Sequence, residues 1–250
     1  MGGLLEVRDV SLSFGGINAL QEVGVAIVEG ETLAVIGPNG SGKTSLFNCV
    51  TGIYRPTAGA IDFRGASLLS RSPDEITRLG IARTFQNLRL FHNMTVLDNI
   101  MVGRHLHFRK NFLAGVLRLR AEEIGHRRRC EEIIEFLNLE VVRKTRAADC
   151  PYGVQKRVEL GRALATEPSL LLLDEPVSGL TQEEKEEFAY WIHEIRGRFR
   201  ITVLLVEHDL RIASRLAGRM VALDHGVKIA EGTPAEVQRH PEVIKAYLGE

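Results

Sequence analysis

The stretch Gly37-Pro38-Asn39-Gly40-Ser41-Gly42-Lys43-Thr44 satisfies the pattern G-x-x-x-x-G-K-[ST] at every fixed position. It follows the continuous apolar run Leu33-Ala34-Val35-Ile36, the composition of a strand covered on both faces. From Thr44 to Val50 the chain has helical character, ending before Gly52. A buried strand, a glycine-rich turn and a helix start, in that order, leave few folds open. The glycines let successive backbone N–H groups turn inward as an anion nest, and the helix N-terminus aims its dipole at the same point. Lys43 is placed to reach β- and γ-phosphates as a point charge, and the Thr44 hydroxyl to ligate Mg2+. The candidate nucleotide-binding set is therefore Gly37, Pro38, Asn39, Gly40, Ser41, Gly42, Lys43, Thr44 and Ser45. By itself this motif specifies nucleotide binding and does not separate GTPases, kinases and transport ATPases.

A second apolar run, Leu170 to Leu173, ends in Asp174-Glu175-Pro176. Two carboxylates at a strand end beside a phosphate loop suit a division of labour. Asp174 is expected to hold the Mg2+ shell, and Glu175 to orient the attacking water as general base. A third element is His208, in Val206-Glu207-His208-Asp209 at the end of the next strand. The carboxyl end of a neighbouring parallel strand faces the same crevice, so His208 is in reach of either the γ-phosphate or the water.

Composition excludes several classes. The 250 residues carry 32 basic and 32 acidic side chains, leaving no electrostatic footprint for nucleic acid or an anionic membrane surface. Cys49, Cys130 and Cys150 are too few and too scattered for a disulfide framework or a metal site. The N-terminal residues lack the basic and apolar regions of a signal peptide, and Glu6 stands where a myristoylation signal needs Ser or Thr, so Gly2 is expected to be unmodified. No apolar run approaches the roughly 18 residues that span a bilayer. The expectation is a cytoplasmic chain, without direct membrane insertion, that reaches a membrane only through another protein.

Strands are expected at Leu4–Val10, Val23–Ile27, Thr32–Ile36 and Gly59–Phe63, then at Leu170–Leu173 and Ile201–Val206. Helices are expected at Val154–Ala165, at Thr181–Arg196 behind a Thr181/Glu184 capping box, and from Thr233-Pro234 behind a second box completed by Glu236. Between them a hairpin turns at Asp224-His225-Gly226. The middle third breaks this alternation with an amphipathic helix from Glu122 to Leu139, whose stripe is Ile133, Ile134 and Leu137. Its Arg127-Arg128-Arg129 run reads as a solvated face. The fold class is thus α/β: a P-loop core with a largely parallel sheet, an N-terminal antiparallel β subdomain and an inserted helical subdomain. The division expected is one domain over 1–250, its nucleotide-binding core at 1–86 and 156–250 and the helical subdomain at 87–155.

The three motifs in this order, with a helical insertion after the first, resemble the ATP-binding cassette (ABC) ATPases over essentially the whole chain. The resemblance implies ATP and Mg2+ as ligands and a head-to-tail dimer with a second ABC ATPase subunit, a hetero- or homodimer, in which one subunit's signature stretch closes on ATP held by the other's P-loop. It makes Phe14 the aromatic that stacks on adenine, where the residue pattern alone allows a strand core position. Gln86, in Arg83-Thr84-Phe85-Gln86-Asn87, becomes the glutamine that senses Mg2+ and the γ-phosphate, and His208 the switch histidine. Ser178-Gly179-Leu180-Thr181 becomes the loop that crosses the dimer interface. The signature stretch, usually Leu-Ser-Gly-Gly-Gln, reads Cys150-Pro151-Tyr152-Gly153-Val154-Gln155 here. Pro151, Tyr152 and Gly153 would face a partner's nucleotide, but Pro151 lacks the usual serine hydroxyl and any backbone N–H. That departure weakens the site this chain completes for its partner.

Within the family, Arg83–Phe91, Met94–Ile100 and the ending Glu231-Gly232-Thr233-Pro234 resemble the branched-chain amino-acid importer ATPases. Urea importers and lipopolysaccharide-export ATPases are similar enough to remain alternatives, as does a non-transport ABC ATPase. The importer branch implies permease subunits as direct partners, a solute-binding protein as an indirect one, and a place on the inner face of the cell membrane.

Overall fold

The structure, a computed structural model, describes residues 3–108 and 116–248. Gly2, part of the insertion after Gly103 and the closing Gly249-Glu250 lie outside the described residues. The chain opens with β1 (Leu5–Phe14) and β2 (Ile17–Ile27), followed by β3 (Thr32–Ile36) and α1 (Lys43–Val50). Next come β4 (Ala58–Phe63), β5 (Ala66–Ser67), α2 (Pro73–Arg78) and β6 (Ile81–Arg83). The helices α3 (Val96–Gly103), α4 (Val116–Phe136) and α5 (Tyr152–Leu164) lead to β7 (Leu170–Asp174) and α6 (Gln182–Phe199). The closing elements are β8 (Thr202–Glu207), α7 (Leu210–Leu216), β9 (Arg219–Asp224), β10 (Val227–Gly232), α8 (Pro234–Arg239) and α9 (Pro241–Leu248).

The backbone divides into two compact units, one of residues 1–83, 169–176 and 189–250, the other of 84–168 and 177–188. The helical unit is thus wider than the 87–155 expected from sequence. α5 stays inside it, packed against α3.

The first unit holds two sheets. A four-stranded antiparallel sheet runs β2-β1-β4-β5, and a six-stranded sheet runs β10-β9-β3-β8-β7-β6. In the second, β3 lies parallel between β8 and β9, β7 pairs parallel with β8, and β6 parallel with β7. Only β10 runs antiparallel, at the edge. Every residue of β3, β7 and β8 is buried, which explains why their sequences lack polar alternation. Phe47 of α1 packs fully buried with Leu33, Val35, Leu172, Leu204 and Val221, so the helix behind the phosphate loop is seated on the sheet centre. At about 25 cal/mol per Å2 of apolar surface, a side chain of that size contributes a few kcal/mol to holding α1 in place. β1 runs on to Phe14, beyond the expected Val10, because β2 continues to pair with it up to the turn at Gly15-Gly16.

In the second unit α4 ends at Phe136, short of the expected Leu139. Asn138 takes the left-handed φ of 52°, and Leu139 N–H donates to the Ile134 carbonyl at 2.9 Å, closing the last turn. Ile133, Ile134 and Leu137 are buried as the helical stripe requires. Arg127 and Arg128 are exposed, but Arg129 is not a plain solvated side chain: it pairs with Glu132 at 2.6 Å and Glu167 at 3.0 Å. The thiols of Cys49 and Cys130, both buried, are pushed up to about 11, as suits inert core cysteines.

His126 lies buried on α4, its Nδ1 accepting from Arg104 Nε at 3.2 Å, which places the proton on Nε2. Burial first, then the Arg104 charge and a weaker push from His107, lower its pKa below the usual 6.5, against the opposing pull of Glu122 and Glu167. The unfolded chain therefore binds a proton that the folded one refuses, so stability falls as pH drops through about 6.5. Thermal unfolding between pH 7.5 and 5.5 is expected to show that loss, and His126→Gln to flatten it; an unaltered slope in the variant would contradict the assignment.

Candidate functional site

Parallel strands bring their carboxyl ends to one edge of the sheet, and three of the expected residues follow from that alone. β3 delivers the phosphate loop, β7 delivers Asp174 and Glu175, and β8 delivers Glu207 and His208. Ile36 stands opposite Glu207, and Asp174 opposite Val206.

The loop is tightly determined. A Cβ on Gly37, which has φ of 149°, would lie 2.1 Å from the Leu223 carbonyl oxygen, so this approach admits only glycine. Gly42 is the N-cap of α1 and offers no side chain to its first turn, which also carries no acidic residue. Its N–H groups are left for an anion. Thr44 is exposed and Ser45 half-buried in that turn. Pro38, Asn39, Gly40 and Ser41 complete the loop, with Ser41 N–H donating to the Pro38 carbonyl at 3.2 Å. The loop is also clamped from a distant segment. Gly226, in the β9–β10 turn, donates its N–H to the Ser41 carbonyl at 3.1 Å and accepts from Gln21 N–H at 2.8 Å.

Lys43 is 5% exposed, and its ammonium donates to the Gly37 and Pro38 carbonyls at 2.7 and 2.8 Å, with the Ser41 hydroxyl at 3.4 Å. Those three acceptors match its three donors. Burial lowers the pKa of this ammonium, while Glu175, Asp174 and Glu207 pull it up. A phosphate oxygen at this point would exchange a carbonyl contact for a charge-assisted one.

Glu175 follows β7 with a left-handed φ of 46°, an uncommon conformation outside glycine, and its N–H donates to the Val206 carbonyl at 3.0 Å. This turns its carboxylate toward His208, whose Nδ1 lies 3.6 Å from Oε2, close enough for a charge contact but beyond a hydrogen bond. The His208 side chain is half exposed. Asp174, 3% exposed, is held by Arg83, whose Nη2 lies 2.6 Å from Oδ2. Phe14 is not a core residue: it is 47% exposed at the end of β1, with the Tyr54 ring edge-on at 5.0 Å. An open aromatic pair suits stacking on a planar base.

The hydroxyl of Thr44 and the carboxylate of Asp174 are oxygen donors of the kind that suits a hard cation such as Mg2+, which keeps several waters. Among the described residues no cluster of three or more His, Cys, Asp or Glu is placed to hold a metal. One Asp174 oxygen is bonded to Arg83, which leaves the other as the oxygen available to a cation.

Gln86, Pro151, Tyr152 and Gly153 belong to the second unit. Gln86 is exposed, and its carbonyl accepts from the buried Lys156 Nζ at 3.3 Å. Beside Lys156 on α5, Glu159 is 2% exposed and accepts from Arg89 N–H at 3.4 Å. Burial raises its carboxyl above the usual range against Lys156 and Arg162, so α5 grips the segment around Gln86. α5 starts at Tyr152 rather than the expected Val154, because Pro151 has the φ of −55° and ψ of 155° of an N-cap, though it makes no cap hydrogen bond. Tyr152 is 43% exposed and its hydroxyl reaches the Ser178 carbonyl at 3.5 Å. Gly153 is buried against Glu184, which closes the capping box with Thr181. Sequence reasoning missed Asn48, Tyr54, Lys156, Glu159 and the Gly226 clamp, and met Arg83 only as a letter of a motif. Gly226 is legible only as a hairpin-turn glycine, and the others have no local pattern of their own.

The chain matches the family described as "ABC transporter" over residues 20–178, and that described as "Branched-chain amino acid ATP-binding cassette transporter" over residues 227–250. It is 39% identical over 250 residues to the high-affinity branched-chain amino acid transport ATP-binding protein BraF of Pseudomonas aeruginosa, covering 99% of this chain and 98% of that one. It is 37% identical to the corresponding protein LivG of Escherichia coli, with the same coverage. Among solved structures, an ATP-binding cassette of an ABC transporter in its ADP conformation superposes with a TM-score of 0.86 at 29% identity, covering all of both chains. A dimeric cassette in a post-hydrolysis state, bound to ADP and Pi, superposes at 0.78 with 26% identity, covering 92% of this chain and 98% of that one. The chain belongs to the ABC transporter ATPase family, as an ATP-binding and ATP-hydrolysing subunit. Within it, both its full-length relatives and its last residues place it among the branched-chain amino-acid type of cassette. Among the described residues no helix is long and apolar enough to cross a membrane.

Gly226 has φ of 79°, and a Cβ there would lie 2.7 Å from the Ala19 carbonyl oxygen. Gly226→Ala is expected to cost about 1–3 kcal/mol of stability through left-handed strain and backbone displacement. Because the displaced turn is the one that clamps Ser41, ATP affinity should fall with it. Denaturant unfolding with and without ATP checks both; unchanged ATP stabilisation would contradict the clamp.

Proposed function

We propose that this chain drives import of branched-chain amino acids, using ATP with Mg2+, as one of two ABC ATPase subunits on the inner face of the membrane. Its direct partners in this reading are the second ATPase and permease subunits, with a solute-binding protein acting through the permeases. The observation that carries the nucleotide chemistry is the buried Lys43 ammonium, set in the loop and drawn on by the carboxylates at the ends of β7 and β8. The solute is supported by the branched-chain amino acid relatives alone.

Bound Mg2+ would supply charge neutralisation across the phosphate oxygens. Thr44 and Asp174 would hold it, and the family resemblance assigns Gln86 to the same ion. Lys43 and the first-turn N–H groups of α1 hold the terminal phosphates and stabilise charge that builds there. Glu175 orients the attacking water and accepts its proton. His208, its Nδ1 3.6 Å from the Glu175 carboxylate and its side chain half exposed, contacts the γ-phosphate or the attacking water. Phe14 stacks on adenine, with Tyr54 supporting its ring. The signature residues Pro151, Tyr152 and Gly153 meet the nucleotide of the partner ATPase. Pro151 gives no hydroxyl or N–H there, which weakens the site this chain completes: the pair is either a heterodimer with unequal sites or a slow homodimer.

Lys43→Ala, introduced in the chromosomal copy, is expected to reduce leucine, isoleucine and valine uptake to background while protein levels stay normal. Unchanged uptake in cells lacking a second system would overturn the amino-acid assignment.

A further inference from the structure

Arg83 makes more contacts than an ordinary strand-end residue needs. Its side chain is 6% exposed, and each arm of the guanidinium has a different task. Nη2 lies 2.6 Å from Asp174 Oδ2 at the end of β7. Nη1 donates to Asn48 Oδ1 at 2.7 Å and to Thr51 Oγ1 at 3.3 Å, both belonging to the α1 region that follows the phosphate loop. The plane of the group lies over the Phe47 ring, with Cζ 5.5 Å from its centroid. Arg83 is also the last residue of β6, in register with Leu172 and three residues ahead of Gln86.

We infer that Arg83 is a positioning residue for the Mg2+ site, fixing the Asp174 carboxylate so that its second oxygen meets the metal's water shell. The inference rests on the assignment of Asp174 to Mg2+ made above. A carboxylate has two oxygens, and a guanidinium bonded to one of them sets the direction of the other. A buried carboxylate without such a partner would be free to rotate and turn its second oxygen away from the metal. Because the other arm is anchored on α1, the helix that presents Thr44, one planar group fixes the two metal-facing elements relative to each other. Lysine cannot replace it fully, since an ammonium is a single point charge without a planar fork. Side chains that bond a metal-holding carboxylate are worth about 10–100-fold in metal affinity.

The test measures binding of a fluorescent ATP analogue to the full chain, in EDTA and in saturating Mg2+, for Arg83→Ala, Arg83→Lys and Asn48→Ala, with Asp174→Asn as reference. Affinity in EDTA is expected to stay within about two-fold, because the phosphate loop is untouched. The Mg2+-linked gain is expected to shrink by about ten-fold in Arg83→Ala, the low end for such partners. Arg83→Lys should recover part of it, and Asn48→Ala, which removes the shorter of the two bonds that Nη1 makes, should show a smaller loss. An undiminished gain in Arg83→Ala, or an equal loss in EDTA and Mg2+, overturns the inference; if that variant fails to fold, Asn48→Ala decides by the same criterion. If Asp174→Asn itself keeps the full gain, the metal assignment beneath the inference fails instead.

Discussion

Five strands running the same way, β9, β3, β8, β7 and β6, deliver their carboxyl ends to a single edge, and the site is a consequence of that register. With Ile36 opposite Glu207 and Asp174 opposite Val206, the loop after β3, the carboxylates after β7 and the histidine after β8 have no other place to go. A slip of one residue in β7 or β8 would carry Asp174 or Glu207 into the apolar core and an apolar side chain into the crevice. The wholly buried side chains of β3, β7 and β8 make that slip costly.

Burying charge at this edge is unfavourable unless each charge is met. Lys43 is met by two loop carbonyls and the Ser41 hydroxyl, and Asp174 by Arg83. The left-handed backbone at Glu175 and the approach of Gly37 to Leu223 are further departures from relaxed geometry at the same edge. They are held by parts of the chain far away in sequence, among them the β9–β10 turn that bonds Ser41. The core thereby fixes the loop in a shape ready for a phosphate, so little reorganisation is left to the moment of binding.

What could be read in the sequence was whatever has a local signature. The phosphate loop has a fixed spacing, β3 and β7 are uninterrupted apolar runs, and Thr233 with Glu236 closes a capping box that the structure shows in full. The α/β class with its antiparallel and helical additions follows from the same signals. What could not be read depends on register or on distant pairing. β6 is only three residues long, too short for periodicity, and it becomes a strand because β7 pairs with it. Arg83 gains its contacts with Asp174 and Asn48 only once β6 and α1 are in place. Phe14 fits a core residue and an exposed platform equally well until the Gly15-Gly16 turn is built; exposure then decides. α5 begins two residues ahead of the expected Val154 because Pro151, with φ of −55° and ψ of 155°, is its N-cap, a role that depends on backbone geometry.

In the proposed mechanism Glu175 activates water, separate from the groups that bind ATP. Single-turnover ATP cleavage by the assembled transporter carrying Glu175→Gln, measured with ATP affinity in parallel, addresses that separation directly. A rate about 10²–10⁴-fold lower than in the parent, with affinity unchanged, is the result expected for loss of a general base. Cleavage within a few-fold of the parent would contradict it and move the chemistry to another residue.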